Sequence, residues 1–222
     1  MSPRTKPSKA RSFSRSFTLI ELLAILAIIV LAAVVLLPSL RKAKEDQARS
    51  KRIKCVIYLK QIALGFRIFA TDHTNRFPMA LSTNLGGAKE YVPTPQTFRF
   101  FQVMSNELTT PIVTICPADT RRPATNFHGH FSNSKVSYFV GLDAGEAQPQ
   151  MLLVGDRNLT SSIPLTNWIL ELRPGAAAGW TRAMHRYAGN VALADGSVQQ
   201  VNSTRLQQQV LSSGTNRLAL PE

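Results

Sequence analysis

Few residues in this chain are placed to do chemistry, and the first is Glu21, the only charged residue in 17–37. An ionised carboxylate in hydrocarbon costs about 3 kcal/mol or more. It therefore needs a positive partner at its own depth, or a place near enough to a helix end to reach the headgroups. A free α-amine on Phe17, made by cutting after Ser16, would be such a partner, and in an assembly it could belong to a neighbouring chain. Further on, His185 is followed by nine residues and then Asp195-Gly196. A base and a carboxylate suit acid–base work, but a triad also needs an activated nucleophile, and no Gly-x-Ser-x-Gly elbow occurs. Asp195-Gly196 is a turn pair in its own right, so a structural clasp in which His185 bonds back to Asp195 accounts for both. His128 and His130 are one residue apart and lack a ligand-spaced cysteine pair, a weak signal for zinc. Asp143, Glu146, Asp156 and Asp195 are too scattered to form a calcium loop. Cys55 and Cys116 are either a disulfide joining a strand to a helix, worth about 2–4 kcal/mol, or two separate buried thiols. Sequence supplies no distance to decide between them.

The element that must hold Glu21 is an apolar helix. Residues 22–37 are sixteen consecutive apolar residues. The stretch 17–37 would span about 31 Å as a helix, the thickness of a bilayer's hydrocarbon core. Pro38 lacks an N–H and crowds the carbonyl of Val34, which predicts a bend or local melting there. Helical character then resumes and continues to about Ala70, with Ile53, Val56, Ile57, Ala63, Leu64 and Ala70 predicted to form the apolar face. Asn75 and Pro78 stop it.

The net charge of +13 is uneven: residues 1–16 hold five basic and no acidic residues, leaving +8 in the remainder. That Ser-, Pro- and Lys/Arg-rich start reads as a disordered leader. Basic residues before the span favour a cytoplasmic leader. Yet Arg41, Lys42, Lys44, Arg49, Lys51, Arg52 and Lys54 follow the span, so charge alone does not orient the chain. This basic run lacks the interleaved aromatics of a single-strand platform, and anionic headgroups would serve it as well as nucleic acid.

Residues 74–222 read as a small α+β head whose short strands imply an antiparallel sheet. The spacing predicts a helix over 97–108, strands over 112–116, 136–140 and 151–154, and a hairpin of 191–194 with 197–201 around Asp195-Gly196. A closing helix over 203–211 would be capped by Ser203 or Thr204. The domains expected are thus 1–16, leader; 17–40, transmembrane and assembly segment; 41–73, continuation of the helix; and 74–222, head.

Ser16-Phe17-Thr18-Leu19-Ile20-Glu21-Leu22-Leu23 after a short basic leader closely resembles the cleavage signal of type IV prepilins and type II secretion pseudopilins. The resemblance implies cutting between Ser16 and Phe17 by a prepilin peptidase in the inner membrane, N-methylation of Phe17, and an assembly role for Glu21. It implies a pilin-like fold, and Pro38 falls at the twenty-second mature residue, where many members have proline. The family usually has Gly before the cut, and this chain has Ser16. The His185–Asp195-Gly196 element is similar to one at the C-terminus of prepilin-like proteins of planctomycete and verrucomicrobial type. Ile115-Cys116-Pro117-Ala118-Asp119 and Gly155-Asp156-Arg157-Asn158 fit the same group.

What the resemblance implies is a non-enzymatic filament subunit for protein export. It would have a cytoplasmic leader, a single inner-membrane span, a periplasmic head and no cofactor, calcium in the head being the one candidate. Its partners would be the peptidase, other pseudopilins and the membrane. Two other classes remain at this stage: a competence-type pseudopilin that binds DNA for uptake, and a signal-anchored periplasmic protein of other function.

Overall fold

The computed structural model describes residues 18–221. The expected cut between Ser16 and Phe17, and the leader before it, lie outside them. The chain divides into two units, Met1–Gln47 and Ala48–Glu222.

The described part of the first unit is helical and belongs to α1, Leu19–Asp72. Its hydropathy averages 3.2 over an 18-residue window, and none of that window is buried. This helix is long and apolar enough to cross a membrane. Of the bend or local melting expected at Pro38, melting does not occur: the helix runs through it unbroken, with the Ser39 hydroxyl donating to the Leu36 carbonyl at 2.8 Å.

In the second unit α1 buries Cys55, Leu59, Ile62, Ala63, Phe66, Phe69 and Ala70. This keeps Ala63 and Ala70 of the expected face and corrects the rest of it, because Ile53, Ile57 and Leu64 are 50%, 47% and 59% exposed. The buried set recurs at i, i+4, i+7, i+8, i+11, i+14 and i+15, one continuous helical stripe. Beyond Asp72 the chain leaves the helix through Thr74 and Asn75, both at positive φ, with the Asn75 N–H closing back on the Ala70 carbonyl at 2.8 Å.

The segment expected to be one helix over 97–108 is two, α2 (Phe98–Gln102) and α3 (Ser105–Leu108). Residues 112–116 are not a strand. Pro111 presets a helical φ, and the Thr110 hydroxyl caps a 3-10 turn over Pro111–Thr114.

Eight strands follow: β1 (Tyr138–Gly141), β2 (Leu152–Asp156), β3 (Leu159–Ser161), β4 (Ile169–Leu172), β5 (Ala178–Trp180), β6 (Ala188–Leu193), β7 (Val198–Asn202) and β8 (Asn216–Ala219). Six form one antiparallel sheet in the order β4-β8-β1-β2-β6-β7, while β3 and β5 pair separately. Period-two alternation splits the sheet's residues between two cores. Tyr138, Val140 and Ala192 belong to the cluster containing the α1 stripe. Phe139, Val191, Leu193 and Leu218 pack instead with Leu206 and Val210 of α4 (Ser203–Ser213). A long apolar N-terminal helix followed by an antiparallel sheet is the α+β layout expected.

Two local devices differ from expectation. Only Gly196 of the Asp195-Gly196 pair has positive φ, +86°. The Gly196 N–H bonds the Leu193 carbonyl and the Leu193 N–H bonds the Ser197 carbonyl. The hairpin is therefore a three-residue loop closed by a glycine bulge, not a two-residue turn. The cap of α4 is Asn202, whose side chain accepts from the Arg205 N–H at 2.9 Å. Ser203 is diverted to accept from the Trp180 N–H at 3.1 Å.

Candidate functional site

Four segments far apart in sequence converge inside the second unit. Cys55 comes from α1, Cys116 from just beyond the 3-10 turn, Asp156 from the end of β2, and His185 from the loop entering β6. One ligand atom from each lies within 4.8 Å of all the others, and all four residues are buried. Cys55 Sγ is 3.2 Å from Asp156 Oδ1, Cys116 Sγ is 3.3 Å from His185 Nε2, and that nitrogen is 3.4 Å from Asp156 Oδ2.

A surrounding layer fixes each member. Asp156 Oδ2 accepts from the backbone and side-chain N–H groups of Asn190, at 2.7 and 2.8 Å. Cys55 Sγ receives the same Asn190 side chain at 3.5 Å and meets the Tyr138 hydroxyl at 3.5 Å. Asn158 donates to the carbonyls of Thr181, Ala183 and Ala188, so it carries the loop that bears His185. That loop has unusual backbone: Met184, Arg186 and Tyr187 all have positive φ, at 60°, 52° and 63°. Such conformations are costly for residues with a Cβ and concentrate at functional sites. On the other side, Arg157 grips Asp119 through two bonds of 2.8 and 3.0 Å. The Asp119 N–H in turn bonds the Cys116 carbonyl at 2.8 Å.

The electrostatics follow from burial. Desolvation drives the Asp156 carboxyl up to about 7, against the bonds from Cys55 and Asn190 that favour its charge. Burial, and then the positive charge of Arg52, push His185 down to about 4, so its imidazole is neutral at pH 7 and its contact with Asp156 is no ion pair. Burial also raises the Cys55 thiol and the Tyr138 hydroxyl far above their usual ranges. At Asp119 burial works against the charge, but the bonds from Arg157 and Ser137 outweigh it and hold the carboxyl at about 2.

The clasp expected between His185 and Asp195 does not form. His185 faces Cys116 and Asp156, while Asp195 accepts from the Ser197 N–H at 2.8 Å, as a turn aspartate does. Cys55 and Cys116 are free thiols. The structure thus brings together, as thiols, the two cysteines weighed as a disulfide or as two separate buried thiols. His128 and His130 are exposed and stand apart from the cluster. Three of the four scattered acids have separate employment: Asp143 pairs with Arg217, Asp156 belongs to the cluster, and Asp195 serves its turn.

At the other end of the chain, Glu21 makes a capping box with Thr18. Its carboxylate accepts from the Thr18 N–H at 3.1 Å and hydroxyl at 3.2 Å, while the Thr18 hydroxyl accepts from the Glu21 N–H at 3.4 Å. Pro38 is exposed on α1.

The four-residue cluster was not anticipated. Its signal lay in the three head motifs, each of which contributes one member: Cys116, Asp156 and His185. No family model, curated protein or solved structure matches the chain.

Proposed function

We propose that the chain is a pseudopilin: a pilin-like, membrane-anchored subunit, processed by a prepilin peptidase, that assembles into a type II secretion filament for protein export. The observation that carries the reading is the start of α1. A helix capped by Thr18 and Glu21 begins directly after Ser16-Phe17 and presents a wholly exposed apolar surface, with Leu19 77% and Leu31 69% exposed. Apolar surface of this extent needs lipid or other copies of the same helix to cover it.

The mechanism is assembly. In the inner membrane the Thr18 donors satisfy the Glu21 carboxylate, which lowers the cost of holding it in the apolar phase. Cleavage leaves the Phe17 amine one residue from Thr18. In the growing filament such an amine, on a neighbouring subunit, becomes the charged partner of Glu21. Packing of the apolar stretch between subunits then forms the filament core, and the head stays periplasmic.

Intact mass spectrometry of the protein from membranes of its native host tests this. The expected mass begins at Phe17 and carries one added methyl. A mass beginning at Met1 would overturn the reading and leave a plain signal-anchored protein.

A further inference from the structure

The geometry points to a four-coordinate zinc site formed by Cys55, Cys116, Asp156 and His185, which fastens helix α1 to the sheet. Two thiolates, an imidazole and a carboxylate are a donor set that suits Zn²⁺, and four protein ligands with no open position mark a structural centre. Zinc bonds of about 2.3 Å to sulfur and about 2.0–2.1 Å to nitrogen or oxygen give tetrahedral edges of about 3.3–3.8 Å. Cys55 Sγ to Asp156 Oδ1, Cys116 Sγ to His185 Nε2 and His185 Nε2 to Asp156 Oδ2 are 3.2, 3.3 and 3.4 Å, and one ligand atom from each residue lies within 4.8 Å of the others, so a small inward shift would bring the four to those edges.

The layer around the four residues is that of a metal centre. Asn190 holds Asp156 by two bonds, and its side-chain N–H also points at Cys55 Sγ, where a thiolate benefits from a donor. His185 is set in place by three positive-φ neighbours. Binding sends the two thiol protons, and any proton on Asp156, to solvent. Two thiolates and a carboxylate around Zn²⁺ carry a net charge of −1. Arg52, one turn before Cys55, supplies the balancing charge: its field reaches Asp156 and His185, and its Nε is buried without a partner.

The site is independent of the filament reading and is tested by a different measurement. Full-length protein in detergent is purified in the presence of zinc and weighed by native mass spectrometry. One Zn²⁺ per chain is expected. Replacement by Co²⁺ should give thiolate-to-cobalt charge-transfer absorption with the intense d–d bands of a tetrahedral site. His185→Ala and Cys116→Ala should each weaken zinc roughly 100-fold or more in competition with a chelator. Should either variant fail to fold, the stoichiometry and cobalt spectrum of the natural protein decide alone. A folded natural protein that takes up neither metal, or that carries a Cys55–Cys116 disulfide in place of one, would overturn the proposal. So would zinc retained undiminished by both folded variants.

Discussion

Arg67 of α1 donates through Nη1 to the backbone carbonyl of Asp195 at 2.8 Å, so the helix grips the β6–β7 turn directly. A Cβ on Gly196 would stand 3.2 Å from Arg67 Cδ, at a φ of +86° that side chains rarely adopt. Gly196→Ala should therefore cost about 1–2 kcal/mol. Arg67→Met, which keeps the stem and loses one exposed bond, should cost about 0.5–1 kcal/mol. Thermal unfolding of the detergent-solubilised chain compares them, and an equal or reversed order would show that the turn is not constrained as described.

The Asp119–Arg157 pair sets an acid limit. The folded pKa of Asp119, about 2, lies below its ordinary value of 3.8. Its stabilisation is thus complete above about pH 4 and lost as pH falls through 2. The side chain is 1% exposed, so the contribution is on the order of 2 kcal/mol. Asp119→Asn should lose that stability at pH 7 and show a flatter loss between pH 4 and 2 in denaturant titrations. An unchanged acid limb would contradict this account.

Glu21 caps α1, and under the proposed function its charge serves assembly as a separable role. Glu21→Gln keeps an acceptor for the Thr18 donors and removes the charge, whereas Glu21→Ala removes both. Both variants should insert and be cleaved yet fail to enter filaments, as measured by subunit cross-linking in cells. Normal assembly of Glu21→Gln would mean that the carboxylate serves α1 alone and would sink its assembly role.

Removing zinc should loosen the head. At a free zinc concentration 100-fold above its Kd, binding contributes about 2.7 kcal/mol, so chelation should lower the melting temperature by about 5–10 °C. His185→Ala should melt lower and ignore the chelator. A melting curve of the natural protein that also ignores it would separate the cluster from metal-linked stability.

Elements with strong local chemistry were legible in the sequence. Asp195-Gly196 marked the β6–β7 hairpin, and the cap signal at Ser203 or Thr204 marked α4, one residue late. What escaped was set by tertiary contact. The buried stripe of α1 starts at Cys55 because the cluster lies beneath it, and no helical periodicity encodes that. Residues 112–116 carry strand-like side chains, but Pro111 and the Thr110 cap turn them into a 3-10 turn. The cluster itself draws on positions from 55 to 185, and only folding brings them together. Cys116 and Asp156 could have been suspected because each sits in a motif whose other residues brace the cluster. Arg157 and Asn158 beside Asp156 are the clearest case: one braces the loop of Cys116 and the other the loop of His185.

The order of the main sheet also dictates when it can exist. β8, the last strand among the described residues, lies between β4 and β1 and bonds to both. Just beyond it, the Leu220 and Pro221 carbonyls accept from Thr97 and Arg121. Synthesis runs from α1 towards β8, so the segment that would enter the membrane is made well before the strand that completes the sheet. During that interval β1 and β4 both lack the neighbour they share. The sheet closes only after residue 219 has been released. Removing residues 216–219 would thus leave β4 separated from the β1-β2-β6-β7 strands, with no strand to join them.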